Sequence, residues 1–252
     1  MTVRRDVAAA FGAVAQQYES HALAQAHAAR QLRQRIVALH LPGTARILEI
    51  GCGSGLMSRH LLELFPAGRL CLTDLSEAMV RVARQRLTPL HPDIHWVVMD
   101  GERPGVRGGF DLIVANLTWQ WFMDPLGSFA RMRAWLRPGG WLVLSTLGEE
   151  SFPEWRELCR KAGLGHGMPE YPSRRAWETL APELLEEERF AMEHGSALEF
   201  LQSLRKIGAQ RPIPGHRPLS PGALRRVLRQ QEHPFVATHH LIYIATTPHG
   251  HP

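Results

Sequence analysis

The chain has 252 residues, 44% hydrophobic and 21% charged, proportions that support a continuous buried core and exclude fibrous and disordered classes. Its length suits one large α/β domain better than two small ones. The net charge of +5 and sequence pI near 9.6 allow an acidic partner without choosing one, because only two of the 29 basic residues are lysines and the arginines are scattered from Arg4 to Arg229. Three widely spaced cysteines, Cys52, Cys71 and Cys159, form neither a disulfide framework nor a CxxC pair, which suits a reducing, cytoplasmic compartment. No run approaches the ~18 apolar residues of a membrane helix.

In chain order, residues 6–40 read as helical, with Leu32, Ile36 and Leu39 on one stripe and Pro42-Gly43 as the stop. Arg4-Arg5 before an alanine-rich stretch imitates a secretory leader, but Phe11, Ala15, Tyr18 and Ala22 recur at helical spacing and favour an amphipathic helix. Strand and helix patterns then alternate: a strand at Arg46–Ile50, a helix over 55–64, a strand at Arg69–Thr73, a helix over 76–86 and a strand at Ile94–Met99. The alternation continues with a strand at Phe110–Ala115, a helix over 126–136 and a strand at Trp141–Thr146, introduced by an Arg137-Pro138-Gly139-Gly140 turn. Such repeated βα units predict a mostly parallel sheet covered on both faces. Beyond Gly148, prolines break up an insertion with helical pieces at 153–162 and 173–180. A strand near Leu184–Glu193, a helix over 196–207, a loop at 211–221, a helix to Gln231, a strand at Thr238–Thr246 and a short tail complete the chain.

The most informative segment is Glu49-Ile50-Gly51-Cys52-Gly53-Ser54-Gly55, a strand entering a glycine-rich turn that opens a helix. Glycines there let backbone approach a ligand and leave helical N–H groups free for an anion. Leu56 stands where the dinucleotide fingerprint requires its third glycine, which weakens a pyrophosphate reading. Asp74 ends the next strand about 20 residues on, placed to accept hydrogen bonds from ribose hydroxyls, so the pair implies a nucleoside ligand.

Glu49-x-Gly51-x-Gly53-x-Gly55, Asp74, Asp100-Gly101, Asn116 and Leu136-Arg137-Pro138-Gly139-Gly140 together resemble class I S-adenosylmethionine-dependent methyltransferases. The resemblance implies a Rossmann-like α/β fold, a seven-stranded sheet with its last strand antiparallel, and S-adenosyl-L-methionine as cofactor with S-adenosyl-L-homocysteine as product. It assigns the methionine portion to the glycine loop, the ribose to Asp74, the adenine to Met79 and Asp100-Gly101, and the sulfonium end to Asn116. It further implies a helical cap over 1–43, a cofactor core over 44–148, an insertion over 149–183, strands with lid helices over 184–247 and a tail over 248–252, all in one domain.

The acceptor is narrowed by what the chain lacks. Asn116-Leu117-Thr118-Trp119 is not the Asn/Asp-Pro-Pro-aromatic motif of exocyclic-amine methylation, and no cysteine is placed as a nucleophile for pyrimidine carbon methylation. The pairs His91/His95, His239/His240 and His249/His251 read as surface or tail rather than metal ligands. A carboxylate, anionic at neutral pH with a pKa near ~4, needs no general base. Trp119, Gln120 and Trp121 are placed to line its chamber.

Phe11-x-x-x-Ala15-x-x-Tyr18-Glu19, Asn116-Leu117-x-x-Gln120-Trp121, the Ser203-Leu204-Arg205-Lys206-Ile207-Gly208-Ala209 string and Leu219-Ser220 resemble the malonyl-[acyl-carrier-protein] O-methyltransferases of biotin synthesis. That resemblance implies methylation of the free carboxylate of a malonyl thioester, carried by acyl carrier protein or coenzyme A. It implies that Tyr18 closes the cap over the cofactor, that Gln120 and Trp121 frame the malonyl group, and that Arg205 and Lys206 hold the carboxylate or the phosphopantetheine. Other expectations are a small-molecule O-methyltransferase of another pathway and an RNA-binding or RNA-modifying protein. The lack of a basic cluster interleaved with aromatics argues against nucleic acid.

Overall fold

Alternation along each strand divides the core into two layers, one on each side of a sheet. In the computed structural model, which describes residues 2–91, 93–210, 219–231 and 234–248, Ile47, Leu112, Val114, Leu241 and Tyr243 face one layer. Their neighbours Leu48, Ile113, Ala115, Ile242 and Ile244 face the other. This is the period-two rule of a pleated strand buried on both faces.

The strands are β1 (Arg46–Ile50), β2 (Arg69–Asp74), β3 (His95–Val98), β4 (Phe110–Asn116), β5 (Leu136–Leu147), β6 (Leu184–His194) and β7 (Phe235–Thr246). They lie in the order β3-β2-β1-β4-β5-β7-β6, parallel except that β7 runs antiparallel to both β5 and β6. The expected seven-stranded, Rossmann-like α/β sheet is therefore present, with the expected reversed final strand.

Helices α1 (Thr2–Val14), α2 (Tyr18–His21) and α3 (Leu23–Val37) precede the sheet, and α4 (Leu56–Leu64), α5 (Glu77–Leu87) and α6 (Pro125–Arg133) follow β1, β2 and β4. The remaining helices are α7 (Pro153–Lys161), α8 (Arg174–Glu178), α9 (Ala197–Lys206) and α10 (Pro221–Leu228). Side chains of α3, α4, α7 and α9 pack into the first layer, and Phe129 of α6 and Trp177 of α8 into the second. Among the described residues no helix is long and apolar enough to cross a membrane.

Several sequence expectations need correction. The N-terminal helical region is three helices, because Ala22 leaves the helical basin (φ −89°, ψ 47°) and Tyr18 turns inward to 8% exposure. The Arg137-Pro138-Gly139-Gly140 turn lies inside β5, which already pairs with β4 at Leu136 and shifts register between Phe110 and Leu112. His239 and His240 are buried in β7 rather than exposed, and His240 bonds Glu187 through Nε2 at 2.9 Å. Trp119 is core: it is fully buried, packs against the tilted Phe122 ring at 4.6 Å and donates from Nε1 to the Pro125 carbonyl at 2.8 Å. Most of the loop at 211–221 (211–218) and of the tail (249–252) lies outside the described residues, and with them His249 and His251.

One buried side chain breaks the apolar pattern of β1. Glu49 sits in the core with Ser58 Oγ donating to it at 2.6 Å, and burial pushes its carboxyl up to about 8, against the pull of that hydrogen bond. The folded protein thus holds a proton that the unfolded chain, with Glu49 near 4.5, has already lost. Stability from this group is full below about pH 4.5 and is lost as pH rises through 8. Above the midpoint of ordinary histidines, urea unfolding of the ligand-free protein should show stability falling from about pH 7 to 8 by up to about 1.4 kcal/mol per pH unit. Glu49→Gln should flatten that slope; an unchanged slope would place the titration elsewhere. Independently, Phe200 of α9 is fully buried between Phe152 and Phe235, with ring centroids at 5.2 and 5.6 Å. Phe200→Ala should cost about 3–5 kcal/mol in the same assay, and a loss under about 1 kcal/mol would show that α9 is anchored by other contacts.

Candidate active site

The order of the strands reverses direction between β1 and β4, and at such a switch point the loops part to leave a crevice at the carboxyl ends. The glycine loop after β1 is fixed there by its neighbour. The Gly51 and Cys52 amides both donate to the Thr73 carbonyl at 2.8 Å, and the Gly53 amide donates to Asp74 Oδ2 at 2.9 Å. Asp74 Oδ1 accepts from the Ser76 amide at 2.8 Å. Burial raises the Asp74 carboxyl above its ordinary value, opposed by these amide donors, and its oxygens keep acceptor capacity toward the crevice.

The crevice is a cavity of about 100 Å³. Gly51, Gly53, Asp74, Asp100 and Gly101 line it together with the apolar side chains of Met79, Leu75, Ile50 and Met99. Asn116 and Trp121 line it as well. A carboxylate for vicinal hydroxyls, a glycine backbone and a thioether-rich lining form a donor set that fits S-adenosylmethionine. Gly55 is different: it lines none of the described cavities. Its φ of +100° opens α4, and a Cβ there would lie 2.9 Å from Leu87 Cδ1, so this glycine serves the contact of the turn with α5.

The cap reaches into the same cavity. Arg4 of α1 pairs with Asp100 Oδ2 at 2.7 Å and Glu102 Oε2 at 2.9 Å, while Asp100 Oδ1 accepts from the Glu102 amide. Asp100 is therefore a shared acceptor, engaged by the cap as well as open to the cavity. Phe11 stands edge-on to Trp121 at 5.3 Å, and Tyr18 lies beside both.

A second cavity adjoins the first, and Phe11, Tyr18, Leu117 and Trp121 line both. Its polar walls include Gln25, Gln120, Tyr171 and His239, and its apolar walls include Met168, Phe152, Leu204 and Ile207. Gln120 Nε2 donates to the Leu117 carbonyl at 2.7 Å, leaving its other N–H available. Burial, helped by the Asp74 charge, pushes the Tyr18 hydroxyl well up, so it stays protonated. Burial pushes the His239 imidazole down to about 4, so it is neutral at physiological pH, and its Nδ1 has no partner among the described residues. No Asp, Glu, Lys or Arg of the described residues lines this cavity.

Between the two, a small recess is lined by Glu49, Gly51, Gly53, Tyr18, Gln25 and Asn116. Asn116 donates from Nδ2 to the Gln25 carbonyl at 3.0 Å and accepts from Ser145 Oγ at 2.9 Å, which fixes its carboxamide.

The fold thus brings together Tyr18, Gln120, Trp121, Glu49, Gly51, Gly53, Asp74, Met79, Asp100, Gly101 and Asn116 around one pair of cavities. It does not bring Arg205 and Lys206 there. Leu204 of α9 and Ile207 just beyond its end line the second cavity, and the two cations between them are exposed. Sequence reasoning missed Arg4, Gln25, Met168, Tyr171 and His239. For Gln25 a signal existed: it extends the buried stripe Ala29, Leu32, Ile36 by four residues, a polar side chain where packing alone would favour an apolar one. No group of three or more metal-ligating side chains occurs among the described residues.

A family profile described as a methyltransferase domain matches residues 47–140. A malonyl-[acyl-carrier protein] O-methyltransferase of Magnetococcus marinus is 39% identical over 90% of this chain and 86% of its own length. The biotin biosynthesis bifunctional protein BioCD of Bordetella avium is 43% identical over 90% of this chain and 48% of its own length. Among solved structures, the plantazolicin methyltransferase BpumL in complex with SAH superposes with a TM-score of 0.54 at 15% identity, covering 97% of this chain and 95% of that one. The fold is thus that of class I methyltransferases, and with identity at this level across nearly its whole length the chain belongs to the malonyl-[acyl-carrier protein] O-methyltransferase family.

Proposed function

We propose that this protein methylates the free carboxylate of a malonyl thioester, carried by acyl carrier protein or by coenzyme A, as an early step of biotin synthesis in the cytoplasm. The observation that carries this reading is the neutrality of the second cavity's described walls. A phenol or alcohol acceptor, with a pKa near ~10 or above, would need a general base. Tyr18 is protonated and His239 is too weak a base to serve, whereas a carboxylate arrives already anionic. Family membership adds the acyl class. Neutralising that charge by esterification would let enzymes with apolar channels accept the acyl chain.

S-adenosylmethionine, when bound, supplies an electrophilic methyl group: a carboxylate oxygen pair forms the new O–C bond as the C–S pair leaves on sulfur, and no proton moves. The chain's own residues then have three tasks. The glycine loop, Asp74 and Met79 bind the nucleoside and methionine parts; Asn116, fixed by Ser145 and the Gln25 carbonyl, borders the reacting end. Gln120 and Tyr18 offer neutral donors that orient the acceptor without neutralising it, and alignment of this kind can supply most of the acceleration. Phe11 and Trp121 form the hydrophobic wall that excludes water. Residues 1–43 and the segments after 148 are then a cap and lid on one methyltransferase domain.

Intact-mass spectrometry of malonyl-loaded carrier protein, incubated with this protein and S-adenosylmethionine, should show the gain of one methylene, reversed by ester hydrolysis and absent with unloaded carrier. Malonyl-coenzyme A alongside ranks the two thioesters. No gain by either, with cofactor binding retained, would overturn the reading. The binding and acceptor roles should separate in variants. Asp74→Asn should weaken S-adenosylmethionine by roughly 10–100-fold in titration calorimetry, the scale of one hydrogen bond to a charged group. Gln120→Ala and Tyr18→Phe should keep that affinity within about twofold and lower kcat/KM for the malonyl thioester by roughly tenfold or more.

A further inference from the structure

Gln25 stands where the recess meets the acceptor cavity. It lies near the start of α3, and its main-chain carbonyl is held by Asn116 Nδ2 at 3.0 Å, which ties the residue to the carboxyl end of β4. Its side chain lines both the recess beside Glu49 and the glycine loop and the acceptor cavity. No hydrogen bond engages its carboxamide among the described residues. Gln120 lines the same cavity, with one N–H committed to the Leu117 carbonyl and the other without a partner among the described residues.

Two carboxamides with free N–H groups therefore face a cavity whose described walls hold no cation. An anion buried without any positive partner is strongly disfavoured, and the carboxamides can direct it but cannot neutralise it. The cavity beside it is the one read as holding a sulfonium. Resting on that carboxylate-acceptor reading, we propose that Gln25 is an acceptor-binding residue that with Gln120 forms a neutral cradle for the carboxylate, whose charge is balanced by the cofactor's sulfonium and not by a side chain of the described walls. Such a cradle keeps the oxygen nucleophilic, since a fixed guanidinium would stabilise the ground state that the reaction consumes. It also sets an order: the acceptor binds well only to the cation-loaded protein.

The test is calorimetric binding of malonyl-pantetheine, with no methyl donor present, to protein loaded with either of two cofactor analogues. One carries an ammonium in place of the sulfonium; the other, S-adenosylhomocysteine, is neutral at sulfur. The wild type should bind malonyl-pantetheine roughly tenfold or more tightly with the ammonium analogue. Gln25→Ala should weaken that binding by roughly 10–100-fold while keeping affinity for the analogue itself within about twofold, which a general loss of structure would not do. Gln25→Glu should weaken it further. Gln25→Lys should let malonyl-pantetheine bind the S-adenosylhomocysteine form as well, with a fall in kcat.

Equal binding by the two loaded wild-type forms would overturn the charge balance, and unchanged acceptor binding in Gln25→Ala would overturn the role of Gln25. The mass assay on wild type separates these failures from a failure of the functional reading. Methylation of the malonyl thioester with no Gln25 effect sinks this inference alone; no methylation sinks both.

Discussion

Three amides of one loop decide where the chemistry can happen. Gly51 and Cys52 share the Thr73 carbonyl and Gly53 donates to Asp74, so the turn after β1 is tied to the end of β2. Those bonds satisfy backbone donors that would otherwise be buried unpaired, and they offset part of the cost of a buried carboxylate. They also hold the loop open toward the switch point, where β1 and β4 diverge in connectivity. Every other element of the site is arranged around this fixed edge.

The cap is fastened to that edge from both ends of the chain. Ala15, Tyr18 and Ala22 pack with Met79 and Val82 of α5 and with Ile207, which follows α9. Gly208, at φ +72°, brings that segment so close to α1 that a Cβ would lie 2.9 Å from the Ala10 carbonyl. Arg4 adds an ion pair to Asp100 and Glu102 at the far rim. The same helices wall both cavities, so the cofactor site and the acceptor site are completed by one packing arrangement.

Charge is divided unequally between the two. Among the described residues, the cofactor cavity carries Asp74, Asp100 and Glu102 against the cation Arg4, whereas the walls of the acceptor cavity are neutral. A low-dielectric chamber strengthens any charge brought into it. It is suited to a reaction in which an anion and a cation enter and two neutral products leave, because the transition state carries less charge than the ground state.

Much of this was legible in the residues. Period-two apolar runs alternating with helical stripes fixed the order of strands and helices, and the spacing of Gly51, Gly53 and Asp74 pointed to a nucleoside site, because both signals are local consequences of backbone geometry. The phases of α9 and of the 3-10 turn at Trp119–Trp121 were not legible from residue type. Arg205 and Lys206 read as ligands for an anion, yet only the packing of Phe200 against Phe152 and Phe235 sets which face of that helix turns inward. Trp119 and Trp121 look alike in sequence, but one is core and the other wall. The pairing of Gln25 with Asn116, 91 residues apart, and the burial of His239 depend on which surfaces meet. The sequence by itself determined the elements, their order and the cofactor loop, since these depend on neighbours a few residues away. Tertiary structure alone decided which polar groups enter the acceptor cavity, since that depends on contacts between segments that the chain brings together only when folded.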